Sequence, residues 1–216
     1  MIADAIARFS ASPALKQHLL FTTSSPLSLL AILPNFSYTH STGYILTITI
    51  MEGVMTIRHF KCLFVLLLAL MCLIYAFQNI ANLDACYQAI AYVLSMQEHT
   101  VYPDSFMPTI EASFLVWCVV ILIIATEILA GLVLLKGAWD LWSSRLADAM
   151  TFNHAKKYAL IGASIGILVW FGYFAVFGGA LMQMWQTQAG SMSLTGAFQY
   201  FSSCVFIWLI VNSKDT

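Results

Sequence analysis

Twenty-three consecutive residues, Ser113 to Leu135 (SFLVWCVVILIIATEILAGLVLL), hold a single ionisable side chain, Glu127. As an α-helix at 1.5 Å per residue the run is roughly 34 Å long, enough to cross a hydrocarbon core of about 30 Å. It reads as a transmembrane helix, and the rest of the chain is arranged around it. A carboxylate inside such a span is costly in lipid, so Glu127 is expected to face other helices.

Composition agrees, because hydrophobic residues make up 61% of the 216 and charged residues only 9%, with a mean hydropathy of +0.84. A soluble domain carries roughly 25% charged residues. The formal net charge of −1 gives no electrostatic reason to expect nucleic acid. Cys62, Cys72, Cys118 and Cys204 fall within apolar runs and Cys86 in a connection, with no CxxC pair and no Cys/His metal spacing, so they read as small buried residues rather than a disulfide framework.

Four spans are predicted: 62–81, 113–135, 158–181 and 194–211. The expected fold is all-α, an integral membrane four-helix bundle over 55–216 with a short outer amphipathic helix and an interfacial inner loop. Residues 1–54 differ in kind, mixing Ser, Thr, Ala and Pro with short apolar patches, the best of which, Leu27 to Leu33, lies between Pro26 and Pro34. Seven residues cannot span a bilayer. Two readings stand for this stretch. One is a disordered N-terminal extension; the other is that translation starts at Met55 or Met51, since Met51-Glu52-Gly53 can be encoded with an embedded GGAGG just upstream of Met55.

Cytoplasmic loops hold an excess of Lys and Arg. Arg8, Lys16, Arg58 and Lys61 precede the first span, Lys136, Arg145, Lys156 and Lys157 lie between the second and third, and Lys214 follows the fourth. All nine fall on one side, which predicts a bacterial inner (plasma) membrane protein with both termini cytoplasmic. In the outer connection Cys86, Ile90, Val93 and Leu94 have helical apolar spacing, predicting a short amphipathic helix that Pro103 and Pro108 should end. The inner connection Lys136 to Lys157, with Trp139 and Trp142, fits an interfacial helix anchored at the headgroups.

Further residues carry a resemblance. Asn79, Asn82 and Asp84, Val93-Leu94-Ser95-Met96, Glu127, Gly137-Ala138, Phe152 with Lys156, Gly162 and Gly166, Trp170-Phe171, Gly178-Gly179, Met184-Trp185-Gln186 and Ala197-Phe198 together resemble the bacterial "predicted small integral membrane protein" family of unknown function. The resemblance covers about Met55 to the C-terminus and implies four spans in the inner membrane, with no activity attached. Where that family usually has an acid after the Gly-Gly pair and an arginine after Ala-Phe, this chain has Ala180 and Gln199. A charge-dependent family role at the outer face therefore lacks both groups here.

Counting eight residues from each inner boundary places Glu127, Gly166 and Ser203 at one depth, with Ser164 nearby. The expectation is an intramembrane polar cluster in which neutral Glu127 bonds Ser203 or Ser164, beside a close-packed face of Gly131, Gly162 and Gly166. Gly178, Gly179, Met184, Trp185 and Gln186 form an outer-face motif. His59 and His154 are the candidate pair for a haem, but each sits beside basic residues where an interfacial histidine is ordinary, so no cofactor and no metal are expected. No nucleophile elbow, P-loop, HExxH or paired-carboxylate motif occurs, and no catalytic residue is assigned. The sequence points to a non-enzymatic accessory protein of a larger membrane assembly, its partners being the lipid bilayer and a membrane protein or further copies of itself. The alternative is a proton-linked carrier working as an oligomer through Glu127.

Overall fold

A computed structural model describes the backbone of residues 38–216 and the side chains of residue 53 and of 56 onward. The chain divides into two units, Met1–Ile48 and Thr49–Thr216, and apart from the start of the first helix everything that follows belongs to the second. The disordered reading of residues 1–37 lies outside the described residues. From Tyr38 onward the backbone is helical.

The elements in order are α1 (Tyr38–Ala81), α2 (Leu83–Leu94), α3 (Ser113–Ser144), α4 (Ala149–Ala155), α5 (Lys157–Ile167), a π-helical segment (Leu168–Leu181), a single 3₁₀ turn (Met184–Gln186) and α6 (Gln188–Asn212). Four stretches are long and apolar enough to cross a membrane: Thr56–Ala81, Ser113–Ser144, Ala149–Leu181 and Gln188–Asn212. The expected four-helix architecture is therefore present, with different boundaries at the basic end. Lys136 to Ser144 is not a separate interfacial helix but the last turns of α3, and Trp139 and Trp142 project from it, exposed.

The first three spans each bury a seam, rich in small residues, at alternating steps of three and four, and the fourth buries only Gly190, Ala197, Cys204 and Val211, at steps of seven. Along α1 the seam runs Cys62, Val65, Ala69, Cys72 and Ala76, while Phe60, Leu63, Leu67, Ile74 and Phe77 point outward. Along α3 it runs Val116, Val120, Ile123, Glu127, Ala130, Leu134, Gly137 and Leu141. Phe152, Lys156, Ala159, Ala163, Gly166 and Trp170 continue the pattern on the third span. Lipid offers no hydrophobic drive for helices to meet, so small residues go inward to allow close van der Waals approach and bulky ones face the acyl chains. A repeat of 3.5 residues keeps such a seam aligned when helices cross at about +20° in a left-handed bundle.

The glycines locate the tightest crossings. A Cβ on Gly137 would lie 2.6 Å from the Cα of Ala159, and one on Gly162 would lie 2.9 Å from the backbone nitrogen of Leu134. These reciprocal approaches bring α3 and α5 together backbone to backbone. Gly131 receives Leu73 of α1 and Gly166 receives the Cys204 sulfur of α6, so the predicted small-residue face is real but distributed over three neighbours.

The third span changes character at Leu168. Its amides then bond five residues back, as Met182 N does to Phe177 O at 2.8 Å, and the wider turns continue to Leu181. Trp170 and Phe171 from this segment meet Tyr200 and Phe201 of α6, with ring centroids 5.6 and 5.1 Å apart. The sequence predicted a single span over 158–181, with nothing to mark this change of winding. π turns inside α-helices are rare and gather at functional sites.

At the opposite end from the basic residues, α2 follows α1 after a single bent residue, Asn82. The expected amphipathic helix is present. Cys86, Ile90, Ala91 and Val93 pack onto a patch of Val116, Val120, Ile124 and Met182. It ends at Leu94 rather than at Pro103, because the chain turns through Met96 and Glu98, both with positive φ. Ile110 N then bonds Leu94 O at 2.9 Å, closing the connection back on itself.

Candidate functional site: polar centres at the two ends of the bundle

Glu127 occupies a seam position of α3 and is 2% exposed. Its partner is Asn79 of α1, whose Nδ2 donates to Glu127 Oε2 at 3.0 Å. The expected cluster with Ser164 and Ser203 does not form. Ser164 Oγ donates to Leu160 O and Ser203 Oγ to Gln199 O, both at 2.9 Å, the usual self-satisfaction of a hydroxyl four residues along its own helix. α3 runs on past the expected boundary at Leu135: seventeen residues, about 26 Å of helix, separate Glu127 from Ser144 and fourteen, about 21 Å, separate it from Ser113, so the carboxyl sits near the middle of its helix. One turn from Asn79 toward the basic rim the Tyr75 and Tyr200 hydroxyls bond each other, and Thr126, next to Glu127, reaches Tyr173 at 3.3 Å.

The second centre is at the basic rim. Asp215, just past α6 and 7% exposed, receives Lys61 Nζ of α1 at 2.6 Å and Lys156 Nζ of the third span at 2.5 Å on the same oxygen. Lys61 also donates to Ser213 O at 2.9 Å, and Lys156 to Ser213 O at 2.7 Å and Asn153 Oδ1 at 2.6 Å. Asn153 Nδ2 returns a bond to Asp215 O at 2.9 Å. Burial pushes the Asp215 carboxyl up, but Lys156 and Lys61 outweigh it and hold the group below the usual carboxylate range. Beside them Arg58 donates to Ala147 O at 2.6 Å and Arg145 O at 3.2 Å, with its guanidinium 4.7 Å from the Phe152 ring centroid. Three spans and the C-terminal tail are thus tied by charge-assisted bonds in a partly desolvated place. An open groove of about 870 Å³ adjoins, lined in part by Asn153, His154, Lys156, Lys157, Lys214 and Asp215.

The predicted outer-face motif is a fastening. Gln186 Oε1 accepts from Val101 N at 2.9 Å and Tyr102 N at 2.8 Å, its Nε2 donates to Gln183 Oε1 at 2.7 Å, and Trp185 meets the Tyr102 ring edge-on. Gly178 leaves room for the Met184 sulfur, and a Cβ on Gly179 would sit 3.2 Å from Leu194. Gln183 takes the left-handed conformation (φ 52°) that turns the chain from the π segment into α6, and Thr187 caps α6 through Gly190 N at 3.1 Å. His59 lies against Trp142 while His154 lines the groove. Among the described residues no group of three or more His, Cys, Asp or Glu is placed to hold a metal ion.

The rim centre was missed by sequence reasoning, which left the basic residues at the headgroups and gave Asp215 no role. Its signal was available, since Lys61 and Lys156 lie in step with the small-residue seams above them.

Four apolar helices packed on small-residue seams define a polytopic helical membrane protein. The chain belongs to the family described as predicted small integral membrane protein (DUF2165), whose model matches residues 57–214. No curated protein and no solved structure matches.

Proposed function

We propose that this is a small, non-enzymatic accessory protein of the bacterial inner membrane that works by associating with other membrane proteins. The observation that carries this reading is an inversion on the fourth span. Gln188–Asn212 has the lowest mean hydropathy of the four, 1.6 against 2.1 to 2.8, yet only 17% of its most apolar window is buried, against 28 to 39% in the others. Its polar residues face outward, Ser191, Thr195 and Gln199 being exposed. Thr195 satisfies its donor on Ser191 O at 3.0 Å, but the Gln199 amide has no bond among the described residues, and in hydrocarbon such a group is expensive and normally met by a neighbouring helix. Glu127 supports association over proton carriage, because its carboxyl is buried and already bonded to Asn79. The clustering of Arg58, Lys61, Arg145 and Lys156 at one rim supports cytoplasmic termini.

Purification in mild detergent from native membranes, followed by mass spectrometry of cross-linked material, tests the reading. A stoichiometric neighbour on the fourth span is the expected result. A monodisperse monomer with the fourth span cross-linked to nothing would overturn it.

A further inference from the structure

We infer that the exposed face of α6 is a homodimer interface, formed with a second copy of this chain around Gln199. The inference rests on the association reading and names its partner.

Gln199 is eleven residues from the start of α6 and thirteen from its end, so it lies near the bilayer centre, where headgroup and water are out of reach of its amide. The side chain is exposed and makes no bond within the described protein. Ser191, Thr195, Gln199, Ser202 and Phe206 follow one another at steps of three and four, and so share one stripe. The opposite side holds the buried Gly190, Ala197, Cys204 and Val211, flanked by the half-buried Tyr200, Phe201, Ile207 and Trp208, so the bundle takes one side of α6 and the stripe lies on the other.

The chemistry of this stripe selects a second copy. A primary amide carries both donors and an acceptor, so Gln199 can pair with its own counterpart, and the Thr195 hydroxyl, which donates to Ser191 O at 3.0 Å, keeps its accepting side free. No Asp, Glu, Lys or Arg occurs between Gln188 and Asn212, so nothing on the face repels itself or demands an oppositely charged partner. Two copies inserted with the same topology can pair only about an axis along the membrane normal, which sets the two α6 helices parallel. Gln199 then meets Gln199 at equal depth, with Thr195 and Ser202 a turn to either side. A heterologous partner would need a complementary stripe at that depth; the second copy has it by symmetry.

Two experiments in native membranes test this. In a Cys118→Ser background, which removes the exposed thiol of α3, Gln199→Cys should oxidise to a covalent species of twice the 24.0 kDa chain, and Leu129→Cys on the outward face of α3 should not. Energy transfer between differently labelled copies should show Gln199→Leu weakening association about tenfold, the scale of one or two interhelical polar bonds, with Gln199→Asn keeping most of it. Both substitutions are at an exposed site and should leave the fold intact. Cross-linking of position 199 to a different protein would refute the second copy while leaving the association reading standing. Absence of any cross-link, with no energy transfer, would refute both.

Discussion

Replacing Asp215 with Asn removes the one carboxylate that Lys61 and Lys156 share. Lys61 and Lys156 are 2% and 3% exposed, so water from the adjoining groove can replace it only in part. Removing one partner of a buried ion pair costs about 3–5 kcal/mol. Asn keeps the shape and one acceptor oxygen, and both lysines keep Ser213 O, which puts the expected loss at the lower end, about 3 kcal/mol. At about 2–4 °C per kcal/mol for a chain of this size, the melting temperature in detergent should fall by about 6–12 °C. The double variant Lys61→Met with Asp215→Asn should lose less than the two single losses added together, because one stranded charge is gone. The pH dependence has a definite sign. Asp215 is depressed in the folded protein, so its contribution is complete above its unfolded value of about 4 and disappears as pH falls through the lower folded value. Wild type and the Asn variant should therefore differ fully at pH 7 and converge only in strong acid. A shift under about 2 °C at pH 7, or additivity in the double variant, would show that the rim charges are independently solvated and the reasoning wrong.

Glu127→Gln keeps an acceptor for Asn79 and should leave thermal stability nearly unchanged, whereas Glu127→Leu strands the amide at a cost of about 0.6–2 kcal/mol; a folded Gln variant that fails to rescue a deletion phenotype would restore the proton-carrier alternative. Gly137→Ala drives a Cβ into the backbone of Ala159, which cannot rotate away, and should cost about 1–3 kcal/mol in the same melting assay; unchanged stability would mean that α3 and α5 are not held that close. Gln186→Ala removes the acceptor for Val101 N and Tyr102 N and should speed proteolysis within 95–112 without lowering the melting temperature of the bundle, so an unchanged cleavage rate would count against the fastening. Membrane-impermeant thiol labelling from outside intact cells should reach cysteines at Asp104 and Gln188 and miss one at Ser144; labelling at 144 would reverse the orientation.

The second span was legible because 23 apolar residues leave little alternative, but its inner end was not. Leu135 precedes Lys136 and Trp139, residues that belong at an interface, yet nothing in KGAWDLWSS stops a helix, and Gly137 packs on Ala159 well past the expected boundary. Counting from that end paired Glu127 with Ser164 and Ser203, whose hydroxyls bond their own helices, in place of Asn79. The small-residue seams were also hidden in plain view. In a span whose outward face is as apolar as its inward one, hydrophobicity has no period, and only side-chain size does. The amphipathic α2 was easier to read because its connection is otherwise polar and the apolar residues Cys86, Ile90 and Val93 stand out. The π segment left no trace that composition could reveal, since its hydrogen bonds are a choice between adjacent carbonyls.

The fourth span is held along its whole length but from one side. Its ends are fixed by the Thr187 cap, with the Met184 backbone against Gly190, and by Ser213 and Asp215 in the grip of two lysines; between them Tyr200, Phe201 and Cys204 rest on Tyr75, Trp170, Phe171 and Gly166. No stretch of it is loose enough to open first, so it should leave the other three spans as one unit or not at all. Its outward side can meanwhile be taken up by a neighbour without disturbing a single contact inside the bundle.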